Sequence, residues 1–195
     1  MQGMIQQAFK DGIALRQQCM TELPDTLLAA ANIMVSCLQQ GGKILACGNG
    51  GSAADAQHFA GELVNRFEMN RPGLAAIAMT HDASVITSIA NDFSFEQIYA
   101  RQIEALGRAG DVLLAISTSG RSPNVLQAVQ QARCQHMPVI ALTGKDGGAL
   151  HLDPAVSVHI NINHPSTPRV QEMHITCLHI LCTLIDHHMF GEKAS

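Results

Sequence analysis

Tryptophan is absent from this chain, tyrosine occurs once, and only 14% of the residues are charged. So thin a charged surface is expected where other subunits cover part of it. Basic residues are outnumbered 12 to 16, for a formal net charge of -4. That balance argues against the basic face needed for nonspecific binding to nucleic acid or a membrane. No CxxC pair occurs: Cys19, Cys37, Cys47, Cys134, Cys177 and Cys182 sit singly in apolar patterns. Reduced, buried thiols in a cytoplasm are therefore expected, not a disulfide frame. Neither a signal-peptide pattern nor an apolar run of membrane length is seen, so the expectation is a soluble, cytoplasmic protein. The patterns GxxxxGK[ST] and GxGxxG are missing too, which disfavours nucleotide binding.

What is present is 47% hydrophobic over 195 residues, enough for one domain with a sizeable core. Helical spacing covers 3–20 and 24–40, with Pro24 suited to a first turn. KILAC (43–47) reads as a strand running into GNGGS, and SAADAQHFAGELVNR as a helix. LAAIAM (74–79) is a second strand. ASVITSIA and SFEQIYARQIEALG read as helices, with Asn91-Asp92 between them. DVLLAIS (111–117) is the clearest strand, and a helix with Pro123 in its first turn follows it. PVIALTG (138–144) is a fourth strand, and VSVHINI (156–162) alternates as an edge or half-exposed strand does. Apolar strands alternating with helices predict a parallel sheet covered on both faces. The whole reads as a single domain: helices over 1–40, a sheet core over 43–162 and a long helix over 168–190. That last helix is apolar on most of its circumference, which favours a helical core shared between subunits.

Two loops fall at carboxyl ends of predicted strands, where ligands of open α/β sheets sit. CGNGGS (47–52) has glycines that free its backbone, Asn49 at its tip, and Ser52 where an N-cap is expected. STSGRS (117–122) offers four hydroxyls around one glycine just before a helix. A ring of hydroxyls and free helix amides suits a phosphate without needing lysine or arginine. One such loop is more often a simple cap. Two shift the balance toward a phosphorylated ligand.

Directly after the first loop, His58 and Glu62 lie four positions apart, one helical turn. Such a pair is a solvated surface pair, half of a metal site, or a catalytic acid and base. His174, His187 and His188, in the apolar last helix, read as core or surface residues, and the remaining histidines show no ligand spacing.

CGNGGSAADAQHFAGEL, the pair ND, GDVLLAISTSG, LTGKDGG and RVQEMHITCLHIL together resemble the sugar isomerase (SIS) domain family, and within it the bacterial phosphoheptose isomerases. The resemblance covers nearly the whole chain. It implies a three-layer αβα sandwich with a five-stranded parallel sheet, and a homotetramer with active sites at subunit contacts. The activity it implies is aldose–ketose isomerisation of sedoheptulose 7-phosphate to D-glycero-D-manno-heptose 7-phosphate, a precursor of lipopolysaccharide or related glycans. Ser52, Ser117, Thr118, Ser119 and Ser122 match its phosphate contacts. Asn49, Gly50, Gly51, Asn91 and Asp92 match residues around the sugar. Its zinc ligands match His58, Glu62, Gln171 and His179, with Glu62 and His179 also its catalytic pair and Glu62 and Gln171 also touching substrate. Two departures stand out: Arg121 where asparagine is usual, and Pro168 beside Arg169 where more polar residues are usual.

Aldose–ketose chemistry needs a carbon-bound proton removed, an enediol formed and the proton returned to the neighbouring carbon. Glu62 is the candidate base. His179 is the candidate for moving the proton between the oxygens or opening a cyclic substrate. Gln171 and His179 are eight residues apart, about 12 Å along one helix. Meeting at one ion requires extended side chains or donation from different subunits. A carboxylate held tightly on zinc is also a poor base, so substrate is expected to loosen a ligand. A different class remains open, because NRFEMNRP and CTLIDHHMF resemble a non-catalytic tetrameric relative that binds the bacterial replication initiator. The catalytic pair, which that relative lacks, favours the enzyme. It also weighs against a regulatory module that only senses a sugar phosphate.

Overall fold

The structure, a computed structural model, describes residues 1–191. In chain order it runs α1 (Gln2–Glu22), α2 (Pro24–Gln39), β1 (Ile44–Gly48), α3 (Gly51–Val64), β2 (Ala76–Ala78), α4 (Ala83–Asp92) and α5 (Ala100–Leu106). It continues with β3 (Val112–Ser117), α6 (Pro123–Cys134), β4 (Val139–Gly144), β5 (Val158–Ile162) and α7 (Thr167–Phe190). Short 3-10 turns occupy Phe95–Gln97 and Gly148–Leu152. The five strands pair in parallel in the order β2-β1-β3-β4-β5. This is the α/β sandwich expected.

The period of two along each strand sorts the core into two layers. Ile44, Ala46, Val112, Leu114, Ile116, Ile140 and Leu142 face α2, α3 and α7. Leu45, Cys47, Leu113, Ala115, Val139 and Ala141 face α5 and α6. β1, β3 and β4 are buried throughout, as strands covered on both faces must be. β5 closes one edge with alternating burial. At the amino ends of β1 and β3, the buried Asp111 carboxylate accepts from the backbone N–H groups of Lys43 and Arg108 and pairs with the Lys43 ammonium.

Several local expectations shift. Asn91 and Asp92 belong to the last turn of α4 and do not separate two helices. The stretch 94–107 is a 3-10 turn followed by a shorter helix, and β2 keeps only three residues of 74–79. Cys134 ends α6 on the exposed side, unlike the other five cysteines, which are buried. Burial pushes the Cys47, Cys177 and Cys182 thiols up to about 12, so they are neutral packing groups. Among the described residues no helix is long and apolar enough to cross a membrane.

His174 ties α7 to the sheet. Its Nε2 lies 2.9 Å from the Thr143 carbonyl, to which it donates, while its Nδ1 is buried without a partner. Burial pushes its pKa from 6.5 down to about 4, with the carbonyl contact opposing. Below pH 6.5 the unfolded chain therefore takes up a proton that the folded chain refuses. The stability held above that pH is lost as pH falls through about 4, by up to roughly 3 kcal/mol. His174→Gln keeps an N–H for Thr143 and removes the titration. It should flatten the fall of the urea midpoint between pH 6.5 and 4. A fall as steep as that of the wild type would contradict this assignment.

Candidate functional site

The strand order turns back between β1 and β3, and the loops leaving those two neighbours flank the resulting crevice. The first loop turns at Gly50, whose φ of +57° and ψ of -120° L-residues rarely adopt. Gly50, not Ser52, is the N-cap of α3. Ser52 lies inside the first turn, nearly buried, with its N–H donating to the Asn49 carbonyl. The Asn49 side chain exchanges two 2.8 Å hydrogen bonds with that of buried Asn124, at the start of α6. Tyr99 donates its hydroxyl to the Gly48 carbonyl beneath. The two loops are thus bolted together through one amide pair.

In the second loop Ser117 is buried with its Oγ 3.1 Å from that of Ser122, the N-cap of α6. Thr118 and Ser119 are half-exposed beside them. Arg121 faces water, its side chain 56% exposed. It forms a two-pronged ion pair with Asp146 at 2.8 and 2.6 Å, and the guanidinium holds that carboxyl well below the usual range. The pair fastens the serine loop to the turn after β4, where Gly120 packs directly on Gly147.

α3 and α7 run side by side in the same direction, and the predicted chemical residues lie on their shared seam. The Gln171 amide rests on Gly51, where an added Cβ would push it aside. Farther along, His58 Nε2 is 2.9 Å from Glu62 Oε1 and 3.4 Å from His179 Nε2. The two rings meet edge to face at 5.0 Å, and Phe67 lies 5.5 Å from His179. The His58 side chain is 46% exposed and that of Glu62 25%, so the cluster opens outward. His58, Glu62 and His179 therefore meet within one protomer, while Gln171 stands at the loop end. Asn91 and Asp92 are exposed and bonded to each other. No hydrogen bond among the described residues joins them to either loop.

Two imidazole nitrogens and one carboxylate are the donor set of a catalytic zinc. A tetrahedral ion with bonds of about 2.0–2.1 Å separates its donors by roughly 3.3 Å. The two Nε2 atoms match that edge, whereas the His58–Glu62 contact is shorter. Accordingly, no group of three or more His, Cys, Asp or Glu forms a finished cage among the described residues. As it stands the trio is a hydrogen-bonded cluster rather than a metal cage, although its residue types are ones that zinc takes.

Asp55, Arg71 and Asp186 escaped the sequence reading. Asp55, one turn before His58, has a buried Oδ2 without a partner, and burial pushes its pKa up to about 6. Its place one turn before His58 and two before Glu62 was the available signal. Arg71 and Asp186 form a buried ion pair at 2.7 Å. They are 115 residues apart, and no spacing announces such a pair. Arg66, one turn beyond Glu62, is exposed and reaches only the Glu68 carbonyl.

The glycine loop offers a test with an internal control. Gly50→Ala should cost on the order of 1–3 kcal/mol in denaturant titration, because its backbone conformation excludes a Cβ. Gly61→Ala, in the interior of α3 with open space around it, should gain up to about 1 kcal/mol. Equal effects at the two positions would contradict the loop geometry.

A family profile described as the SIS domain matches residues 9–144. A phosphoheptose isomerase of Laribacter hongkongensis is 52% identical over 184 residues, covering 94% of each chain. The solved structure of a phosphoheptose isomerase from Neisseria gonorrhoeae superposes with a TM-score of 0.88 at 48% identity, covering 95% of this chain and 98% of that one. Another from Francisella tularensis gives 0.91 at 43% identity, covering 95% and 97%.

Proposed function

The chain belongs to the SIS domain family, and from that premise we propose how its own residues carry the reaction of its close relatives. The chain is an aldose–ketose isomerase that converts sedoheptulose 7-phosphate to D-glycero-D-manno-heptose 7-phosphate. The observation that carries the residue-level reading is the meeting of Glu62, His58 and His179 on the α3–α7 seam.

The phosphate binds at the amino end of α6, ringed by Ser52, Ser117, Thr118, Ser119 and Ser122. Free amides and hydroxyls there complement an anion. His58 lies about 9 Å along α3 from Ser52. A substrate held at one end and reacting at the other must be extended, as a chain with phosphate on C7 and carbonyl on C2 is. Gly50, Gly51 and Asn49 shape the wall between, and Asn91 and Asp92 contact the sugar.

Glu62 takes the proton from C1 of the ketose, leaving the enediolate, and returns it to C2 to give the aldose. His179 moves the other proton from O1 to O2, which balances the exchange. His58, Glu62 and His179 would hold a zinc ion, and Gln171, at the loop end of the seam, would join them only by donation from another subunit or with its side chain fully extended. When bound, zinc supplies Lewis-acid stabilisation to the enediolate oxygens.

Assembly follows from α1. Only Leu15 and Cys19 of its 21 residues are buried, while Ile5, Phe9 and Ile13 stand exposed along one side. An apolar groove lined by Met20, Leu28, Ile180 and Leu184 runs between α1, α2 and α7. Such a surface favours the homotetramer. The unpaired thiols suit a reducing cytoplasm.

Purified protein incubated with sedoheptulose 7-phosphate should yield the aldose. Glu62→Gln should lower kcat by about 10²–10⁴-fold with KM little changed. Zinc should approach one per chain by elemental analysis and be lost in His179→Ala. Full activity in Glu62→Gln, or zinc retained without His179, would remove the assigned roles. Light scattering should give about 83 kDa, four copies of 20.8 kDa, and Phe9→Glu should lower that mass. A 20.8 kDa particle would end the tetramer.

A further inference from the structure

We propose that Arg71 and Asp186 are positioning residues for the isomerisation, a buried ionic clamp that sets the height of Glu62 against His179. The proposal rests on the catalytic reading of those two residues.

Arg71 comes from the loop after α3, yet its side chain is only 1% exposed and that of Asp186 3%. Nε donates to Asp186 Oδ1 at 2.7 Å. Nη2 donates to the carbonyl of Glu62 itself at 2.9 Å, and Nη1 to those of Leu63 at 2.8 Å and Pro72 at 3.1 Å. Four of the five guanidinium N–H groups are thereby engaged. A helix ends with free carbonyls and partial negative charge, so a cation there is a natural cap. This cap sits on the catalytic turn and is anchored in the other catalytic helix.

The anchor has a definite phase. Asp186 follows His179 by seven residues, two helical turns, and so lies on the same face of α7. The clamp and the His58–His179 contact are therefore two rungs between the same pair of helices. Sliding α3 along α7 by one residue, ~1.5 Å, would break both. The pairing is not built for maximal attraction, since Asp186 Oδ2 is buried without a partner although Arg71 is adjacent. A pair serving only to neutralise itself would be two-pronged, as Arg121–Asp146 is. Instead the fork divides between one carboxylate oxygen and the backbone that carries the base. Base placement errors of about 1 Å cost on the order of 100-fold in rate.

The test exploits a known asymmetry: an apolar pair of similar volume commonly replaces a buried ion pair without loss of stability. Arg71→Met combined with Asp186→Leu should stay folded, with a lowered melting temperature from the three carbonyls it strips of a donor, and lower kcat about 10–100-fold. KM for sedoheptulose 7-phosphate should move less than about threefold, because the phosphate loops lie at the other end of the seam. A folded double variant with kcat within twofold of wild type would overturn the proposal. Should that variant not fold, Arg71→Lys, whose single ammonium cannot hold Asp186 and the Glu62 and Leu63 carbonyls together, is read by the same kcat-against-KM split, with unchanged kcat again overturning it. Inert wild type, or active Glu62→Gln, would instead mark failure of the underlying catalytic reading.

Discussion

Every chemical feature of the molecule depends on the register between α3 and α7. The two helices lie on one face of the sheet, over the layer built from Ile44, Ala46, Val112, Leu114 and Ile116. Each follows a strand of the same parallel sheet, so they run in one direction and their contacts advance together. Gly51 meets Gln171, then His58 meets His179, then the carbonyl of Glu62 reaches Asp186 through Arg71. Phe59 and Leu63 of α3, with Val170, Leu178 and Leu181 of α7, bury the apolar side of the same helices. Close packing resists sliding because every displaced side chain leaves a gap or a clash. The apolar contacts fix how near the helices lie, and the polar rungs fix their alignment along the axis.

This arrangement separates holding from reacting. The serine loops sit at the carboxyl ends of β1 and β3, joined by the Asn49–Asn124 amide pair and braced from outside by Arg121–Asp146. The acid and imidazole groups lie down the seam, on helices rather than loops, where their backbones are stiff. In the proposed reaction, anchoring at one end would convert binding of the unreactive phosphate into placement of the reacting carbons at the other. Asn49 belongs to the loop end alone, its amide committed to Asn124 and its carbonyl to the glycine turn.

Period and punctuation made the fold legible in the sequence: β1, β3 and β4 as apolar runs, Pro24 and Pro123 in first turns, and the alternation of β5. His58 and Glu62 were legible too, because one helical turn separates them and a glycine loop precedes them. Contacts across sequence were not legible. Nothing local says that Arg71 folds inward, that Asn49 finds Asn124, or that Arg121 finds Asp146. Ser52 looked like a cap because serine favours caps, but the conformation of Gly50 moves the helix start two residues earlier. Asn91 and Asp92 looked like a break between helices, yet Asp82 caps Val85 at the start and the helix runs through them.

On the proposed reading, the outer side of α7 makes assembly and catalysis neighbours. Gln171, His179 and Asp186 share one side of the helix, while Met173, Thr176, Ile180 and Leu184 line the apolar groove on the adjoining one. His179 and Ile180 are consecutive, so whatever covers Ile180 also closes the flank of the site. Covering that groove would withdraw water from the imidazole and strengthen each polar contact around it, because electrostatic interactions grow as solvent is excluded. An α1 with two buried residues gains its packing in the same step. One stretch of surface thus joins the thinly packed α1, the apolar groove and the flank of the His179 cluster.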